Sequence, residues 1–269
     1  MTSDSKTPRA PTIKSAREID LMRRAGHIVA DVLSVLRDAA RPGVTTQELD
    51  MIAEREIRSR GGVPSFLGYL DYPAHICASL NEEIVHGIPG PRAIADGDIL
   101  SIDCGAIYEG YHGDSAITIA IGNVPKDALD LIEDTRLSMV ACIDAARVGN
   151  KLIDLTKAIR DYAQPRGYGI IRQYGGHGIG TAMHEEPWIA NNLADFDSPE
   201  RRSLRGFRLR PGMTVALEPM LTLGGWQTYV GDDEWTVFTQ DGSLSAHWEH
   251  TIVVTEDGPE VLTSRTGQP

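Results

Sequence analysis

The sequence predicts an α+β fold, with an antiparallel sheet built about a pseudo-twofold axis and covered by helices. Three observations predict it. Apolar stripes of helical period alternate with hairpin-like strand pairs, not with single parallel strands. AARPGVTTQELD (39–50) aligns without a gap on AARVGNKLIDLT (145–156), and the same offset carries Gly61 onto Gly167. Further on, GDILSID (97–103) matches GMTVALE (212–218), each an apolar strand ending in a carboxylate. The offsets of the two matches differ slightly, which reads as a duplication with loops of unequal length. Residues 1–12 read as a flexible tail, and 13–269 as one domain whose halves share a sheet.

The elements follow in order. From Ser15 to Ala40 the residues Ile19, Met22, Val29, Val32, Leu33 and Leu36 recur at helical spacing, and Pro42-Gly43 stops the helix. Thr45-Thr46-Gln47-Glu48 has the capping-box pattern and opens a second helix with Leu49, Ile52, Ala53 and Ile57 as its buried stripe. Gly61-Gly62 ends it. A comparable helix pair spans 126–146 and 152–164. Strand-like runs are Ile99–Asp103, Ala116–Ile121, Thr214–Leu217 and Thr251–Thr255.

Composition narrows the function. A formal net charge of −12 argues against a general binder of nucleic acid or anionic membrane. Three cysteines without close spacing suit a reducing cytoplasm. MTSDSKTPRAPTIK lacks the apolar core of a signal peptide, and no run approaches the roughly 18 apolar residues of a membrane span.

The chemistry concentrates in a few acids. In DCGAIYEGYHGD (103–114), a hairpin tip at Glu109-Gly110 sets Asp114 opposite Gly105 and diagonal to Asp103 on one face. Two carboxylates so close repel unless a cation or proton separates them, or unless both stand in water. Glu218 ends the apolar run MTVAL, and Glu249 in HWEHTIVV precedes another. Such strands are buried, and buried carboxylates require partners or metal. The duplication maps Asp103 onto Glu218 and Asp114 onto Glu249, bringing four acids to one centre. In GHGIGTAMHEEP (176–187), read as a metal site, a phosphate cradle or a polar loop, His177 supplies a nitrogen ligand. The Walker lysine is absent and the acids repel phosphate, which disfavours the cradle. One nitrogen among carboxylates suits two bridged divalent ions better than a tetrahedral structural zinc.

With NEEIVHGIP (81–89), SIDCGAIYEGYHGD (101–114), GGHGIGTAMHEEP (175–187), LEPM (217–220) and SAHWEHT (245–251) in this order, the chain resembles the type I methionine aminopeptidases from about Ile13 to Thr263. The resemblance implies the pita-bread fold, and removal of the initiator methionine from nascent polypeptides ahead of a small second residue. By resemblance Asp103 chelates one ion, Asp114 and Glu249 bridge both, and His177 and Glu218 complete the other shell. The ions are cobalt, manganese, iron or zinc. His86 and His184 face the scissile peptide, His184 stabilising the oxyanion and His86 holding the scissile amide or leaving nitrogen, while Glu218 shuttles a proton to the leaving amine. The methionine pocket is lined by Phe66, Tyr69, Tyr72, Cys77, Met183 and Trp235. Leu70 departs from a histidine often found in the family, and Phe66 from a smaller residue, which bears on the shape of the pocket and not on the reaction. The arginines of 201–210 suggest contact with ribosomal RNA, against the plainer reading of a solvated loop. A cytoplasmic monomer is expected. The alternatives are a Xaa-Pro aminopeptidase or prolidase on the same fold, or a non-enzymatic binding module that has kept it.

Overall fold

A computed structural model describes residues 11–265. Residues 1–10, most of the expected tail, lie outside it, and Thr12 at the end of that tail hydrogen-bonds Glu185 (2.5 Å). In chain order the first half holds α1 (Ala16–Ala39), α2 (Thr46–Ser59), β1 (Val63–Pro64), β2 (Ile76–Leu80), β3 (Glu83–Val85), β4 (Ile99–Tyr108) and β5 (Tyr111–Ala120). The second half holds α3 (Lys126–Ala145), α4 (Leu152–Ala163), β6 (Gly169–Ile170), β7 (Gly175–Gly178), β8 (Glu185–Ala190), β9 (Thr214–Leu217), β10 (Met220–Thr222), β11 (Thr228–Val230), β12 (Val237–Thr239), β13 (Ser245–His247), β14 (His250–Thr255) and β15 (Gly258–Val261).

Local chemistry explains the helix starts. Thr45 Oγ1 accepts from the Glu48 amide (3.1 Å) while the Glu48 carboxylate accepts from the Thr45 amide (2.8 Å), the reciprocal cap read from the sequence. Ser15 and Glu18 cap α1 in the same way. The apolar face of α1, with Met22, Val29, Leu33 and Leu36 fully buried, packs on β4 and β5. Helices α3 and α4 pack on each other and on strands of the second half.

The internal repeat is visible in backbone detail. Thr45 bridges Ala93 in one half, and the aligned Lys151 bridges Arg208 in the other. The Lys151 amide donates to Asp154 (2.9 Å), as Thr45 does to Glu48. Gly43 and Gly149 turn with φ of 91° and 86°, and Gly97 and Gly212 with 95° and 80°, so both copies need glycine at the same bends.

One expectation needs correcting. Among the described residues the strands form ladders of four, three, three and five strands, not a single continuous sheet. The halves share one small ladder, in which β3 pairs with β12, and they meet again at a short seam where Ala116 N–H donates to Glu249 O (3.3 Å) and Glu249 N–H to Ala116 O (3.0 Å). Thr251 Oγ1 reinforces it, accepting from the Asp114 amide (3.0 Å) and donating to the Asp114 carbonyl (2.8 Å). The seam falls between two of the acids.

Candidate metal centre and substrate pocket

The β4–β5 hairpin has the register read from its tip, with Gly105 opposite Asp114 and Asp103 opposite Ala116. Glu109 and Gly110 at the tip take φ of 47° and 85°. In the second half β14 pairs with β9 up to His250–Leu217, so Glu249 and Glu218 lie one residue beyond the last pair. His177 on β7 lies opposite Ala216 of β9. The seam and these registers bring Asp103, Asp114, His177, Glu218 and Glu249 to the floor of one cavity of about 670 Å³, its open mouth included.

Asp114, His177 and Glu249 each place a donor atom within 4.8 Å of the others'. Asp103 and Asp114 are buried side by side, close enough that each bears on the other's proton. Burial pushes Asp103 up to about 7, and burial with the nearby Asp103 pushes Glu218 up to about 8. Asp114 and Glu249 go well above the usual carboxylate range, from burial first and neighbouring carboxylates second. His177 Nδ1 meets the Gly178 carbonyl at 2.9 Å, so the proton sits there and the lone pair of Nε2 faces inward. That Nε2 stands 3.7 Å from Glu218 Oε1 and 4.0 Å from Asp114 Oδ2. Burial holds His177 down at about 3, so the ring is neutral.

Acceptors therefore face acceptors. Asp103 Oδ1, Asp114 Oδ1 and Glu249 Oε1 are buried without a hydrogen-bond partner among the described residues. Unpaired buried acceptors cost roughly 1–3 kcal/mol each, and more when charged. A cation removes that cost, and four carboxylates with one imidazole nitrogen suit divalent ions that take oxygen and nitrogen together. The residues fit a divalent-metal centre.

The two further histidines stand above this floor. His86 has a left-handed backbone (φ 62°), an uncommon state for a residue with a side chain. The contacts of its neighbour enforce it: Gly87 lies so close to β2 that a Cβ there would sit 2.6 Å from the Ala78 carbonyl oxygen. Burial and His184 hold His86 down at about 4. His184 is exposed, its Nδ1 hydrogen-bonds the Tyr69 hydroxyl (2.8 Å), and its ring centroid lies 4.2 Å from that of His177.

The remaining wall is apolar. Phe66, Tyr72, Cys77 and Met183 form a buried cluster apart from the main core, with Tyr69 and Trp235 packed against it. All six residues assigned to the methionine pocket line the cavity that holds the carboxylates. Phe66 seats over Gly105, where a Cβ would come within 2.8 Å of its ring. Tyr72 donates to the Ile76 and Gly87 carbonyls (3.0 and 3.1 Å), which fixes its ring, and Asp233 accepts from the Trp235 backbone amide (2.9 Å), whose indole packs edge-on to Tyr72 (5.0 Å between centroids). Cys77 pairs across strands with Asp103, and burial keeps its thiol protonated. Leu70 lines the mouth, 72% exposed, with a left-handed φ of 49°.

Sequence reasoning missed His247. It is buried on β13, with Nε2 3.8 Å from Glu218 Oε2 and no hydrogen-bond partner among the described residues. Its place two residues before Glu249 in HWEH was the available signal. Tyr174, 6.0 Å from the His86 ring, and Ala74 and Ile88 in the apolar cluster left no such trace.

The arginine segment is partly engaged in its own fold. Arg201 stacks over Trp188 (3.6 Å), Arg202 donates to the Asp197 carbonyl (3.1 Å), Arg205 lies 4.0 Å from the Asp197 carboxylate, and Arg208 donates to Gly149 O (2.6 Å). Arg202 and Arg205 remain exposed.

Residues 20–256 match the model of metallopeptidase family M24. The chain is similar to methionine aminopeptidase 1 of Mycobacterium tuberculosis (49% identity over 257 residues, 93% of this chain and 94% of the relative) and to the methionine aminopeptidase of Clostridium acetobutylicum (46% over 252 residues, 93% and 98%). Its fold is similar to the crystal structure of methionine aminopeptidase from Thermotoga maritima, with a TM-score of 0.90, 37% identity, and coverage of 95% of this chain and 100% of the other. A Xaa-Pro dipeptidase from Bacillus anthracis shares the fold at a TM-score of 0.75 and 25% identity, but the match covers 94% of this chain and only 62% of that one. The pita-bread architecture is thus common to both groups, while identity and coverage separate them. The chain belongs to the methionine aminopeptidases of metallopeptidase family M24.

Proposed function

We propose that the enzyme removes the initiator methionine from nascent polypeptides and peptides by hydrolysis at a pair of divalent ions, with a preference for a small second residue. The observation that supports this best is the single cavity, whose floor is a cluster of unpaired acceptors and whose wall is an apolar pocket. Asp103, Asp114, His177, Glu218 and Glu249 would hold the ions. Bound there, the ions would polarise the scissile carbonyl and make water a nucleophile at neutral pH.

The chain's own residues do the rest. Phe66, Tyr69, Tyr72, Cys77, Met183 and Trp235 take up the methionine side chain, an adaptable thioether suited to an irregular apolar slot. The carboxylate floor receives the free α-amine, which confines cleavage to the N-terminus. His184, held by Tyr69, donates to the developing oxyanion, a contribution of about 3 kcal/mol for one such donor. His86, set by its backbone, orients the scissile amide. Glu218 accepts a proton at a carboxylate oxygen and passes it to the leaving amine, and burial suits it by raising its basicity.

Glu218→Ala is expected to abolish turnover of Met-Ala-Ser while the circular dichroism spectrum stays that of a folded protein; unchanged turnover would remove Glu218 from this role. Testing Met-Ala-Ser against Xaa-Pro peptides separates the proposed specificity from that of the prolidases. The setting proposed is a cytoplasmic monomer, with which three buried free cysteines accord. No described helix is long and apolar enough to cross a membrane. Arg202 and Arg205 are proposed to touch ribosomal RNA. Reversing both charges should weaken ribosome co-sedimentation several-fold at low salt, and equal co-sedimentation would leave the segment a solvated loop.

A further inference from the structure

The turn that carries Met183 and His184 is fastened from an unexpected direction. Ahead of α1, the Lys14 amide donates to the Gly212 carbonyl (2.8 Å), which lays this segment along the second half. The Lys14 side chain then runs inward, with its ammonium 2.5 Å from Glu185 Oε2 and side-chain exposures of only 5% and 13%. Thr12 also meets both groups. The other oxygen of Glu185 accepts from the Ala182 amide (3.3 Å), and Gly180 N–H donates to Ala182 O (3.1 Å), closing the turn on itself. A Cβ at Gly180 would lie 2.4 Å from Glu185 Oε1 and 2.6 Å from Lys14 Cε, so the ion pair needs glycine there. A pair this enclosed is screened far less than one on the surface, and breaking it strands a charge.

We infer that Lys14 and Glu185 are positioning residues, whose buried ion pair clamps the 180–185 turn and sets His184 and Met183 against the carboxylate floor. Tyr69 holds the His184 ring from the opposite wall, so the imidazole is located from two sides. The inference rests on the reading that His184 faces the scissile peptide.

The test compares Lys14→Met, Glu185→Gln and the double variant, each with and without His184→Ala. The readouts are kcat and KM on Met-Ala-Ser, and metal per chain after reconstitution with manganese. Displacement of a reacting group by about an ångström costs up to roughly a hundredfold, so kcat should fall about 10- to 100-fold with little change in metal content. The double variant leaves no stranded charge, should fold, and should show no larger loss than either single change. On the His184→Ala background the same substitutions should lower kcat less than about twofold, because the polar group they position is already gone, while the displacement of Met183 in the side-chain pocket should show as a rise in KM. Wild-type kcat in the double variant, with His184→Ala impaired, overturns the clamp alone. A full, additive loss on the His184→Ala background also overturns it. Wild-type kcat in His184→Ala overturns the reading beneath it, and the clamp falls with that reading.

Discussion

Asp114→Asn is expected to lower turnover of Met-Ala-Ser by at least about a thousandfold, the several kcal/mol that a correctly held ion supplies to a transition state. Asp114 belongs to the clustered donor set, is crowded by Asp103 and lies beside the seam between the halves. The amide keeps the size of the side chain but removes a charge that the ions require. Metal per chain should fall in parallel. Stability should move the other way. With no cation present, a carboxylate crowded by Asp103 and Glu218 is a burden on the fold, so the metal-free variant should melt a few degrees above the metal-free parent near pH 8. Calorimetry of both proteins after chelation, with metal analysis, checks the pair of results. A variant that keeps its metal and turns over within tenfold of the parent would remove Asp114 from the centre.

This residue also shows why much of the site is legible in the sequence. Its position opposite Gly105 follows from one hairpin tip, because strand period and turn length fix register locally. Glu218 and Glu249 follow from the repeat together with the rule that apolar strands do not end in unpartnered acids. Where information is not local, reading fails. The Lys14–Glu185 pair joins residues far apart in sequence, and nothing near either one announces the other. The left-handed backbone of His86 arises from the packing of Gly87 against β2 and has no signature in NEEIVHGIP. His247 stands in SAHWEHT with nothing local to mark its role, since only the fold sets it beside Glu218. The expectation of one shared sheet was too simple for a related reason: alternation predicts strands, whereas which strands pair across the halves, as β3 does with β12, is not local.

The metal-free enzyme is expected to be most stable near pH 6, and added manganese to stabilise it far more at about pH 8 than at about pH 5.5. The alkaline side follows from the carboxyls. Asp103 and Glu218 are raised to about 7 and about 8 in the folded state, above their ordinary values of 3.8 and 4.5. The folded chain therefore holds their protons more tightly than the unfolded chain. Their contribution is full below about pH 4 and is lost as pH rises through 7 and 8; Asp114 and Glu249, raised further, extend that loss. The acid side follows from the histidines. His86 is held at about 4, and His177 and His247 at about 3, below the ordinary 6.5. Unfolding lets these rings take up protons, so their stabilisation is present above 6.5 and fades as pH falls toward 3. The two trends cross near pH 6. Divalent ions act on the first trend over this range, since they replace the protons that the carboxyls otherwise keep, while His177, the one imidazole among the ligands, is already neutral above about pH 3. At low pH they must compete with those protons, while at high pH they neutralise charges that would otherwise destabilise the fold. Thermal melts across this pH range, with and without manganese after chelation, measure the difference directly. A manganese-induced rise in Tm that is equal at both pH values would show that the buried carboxyls do not receive the ions.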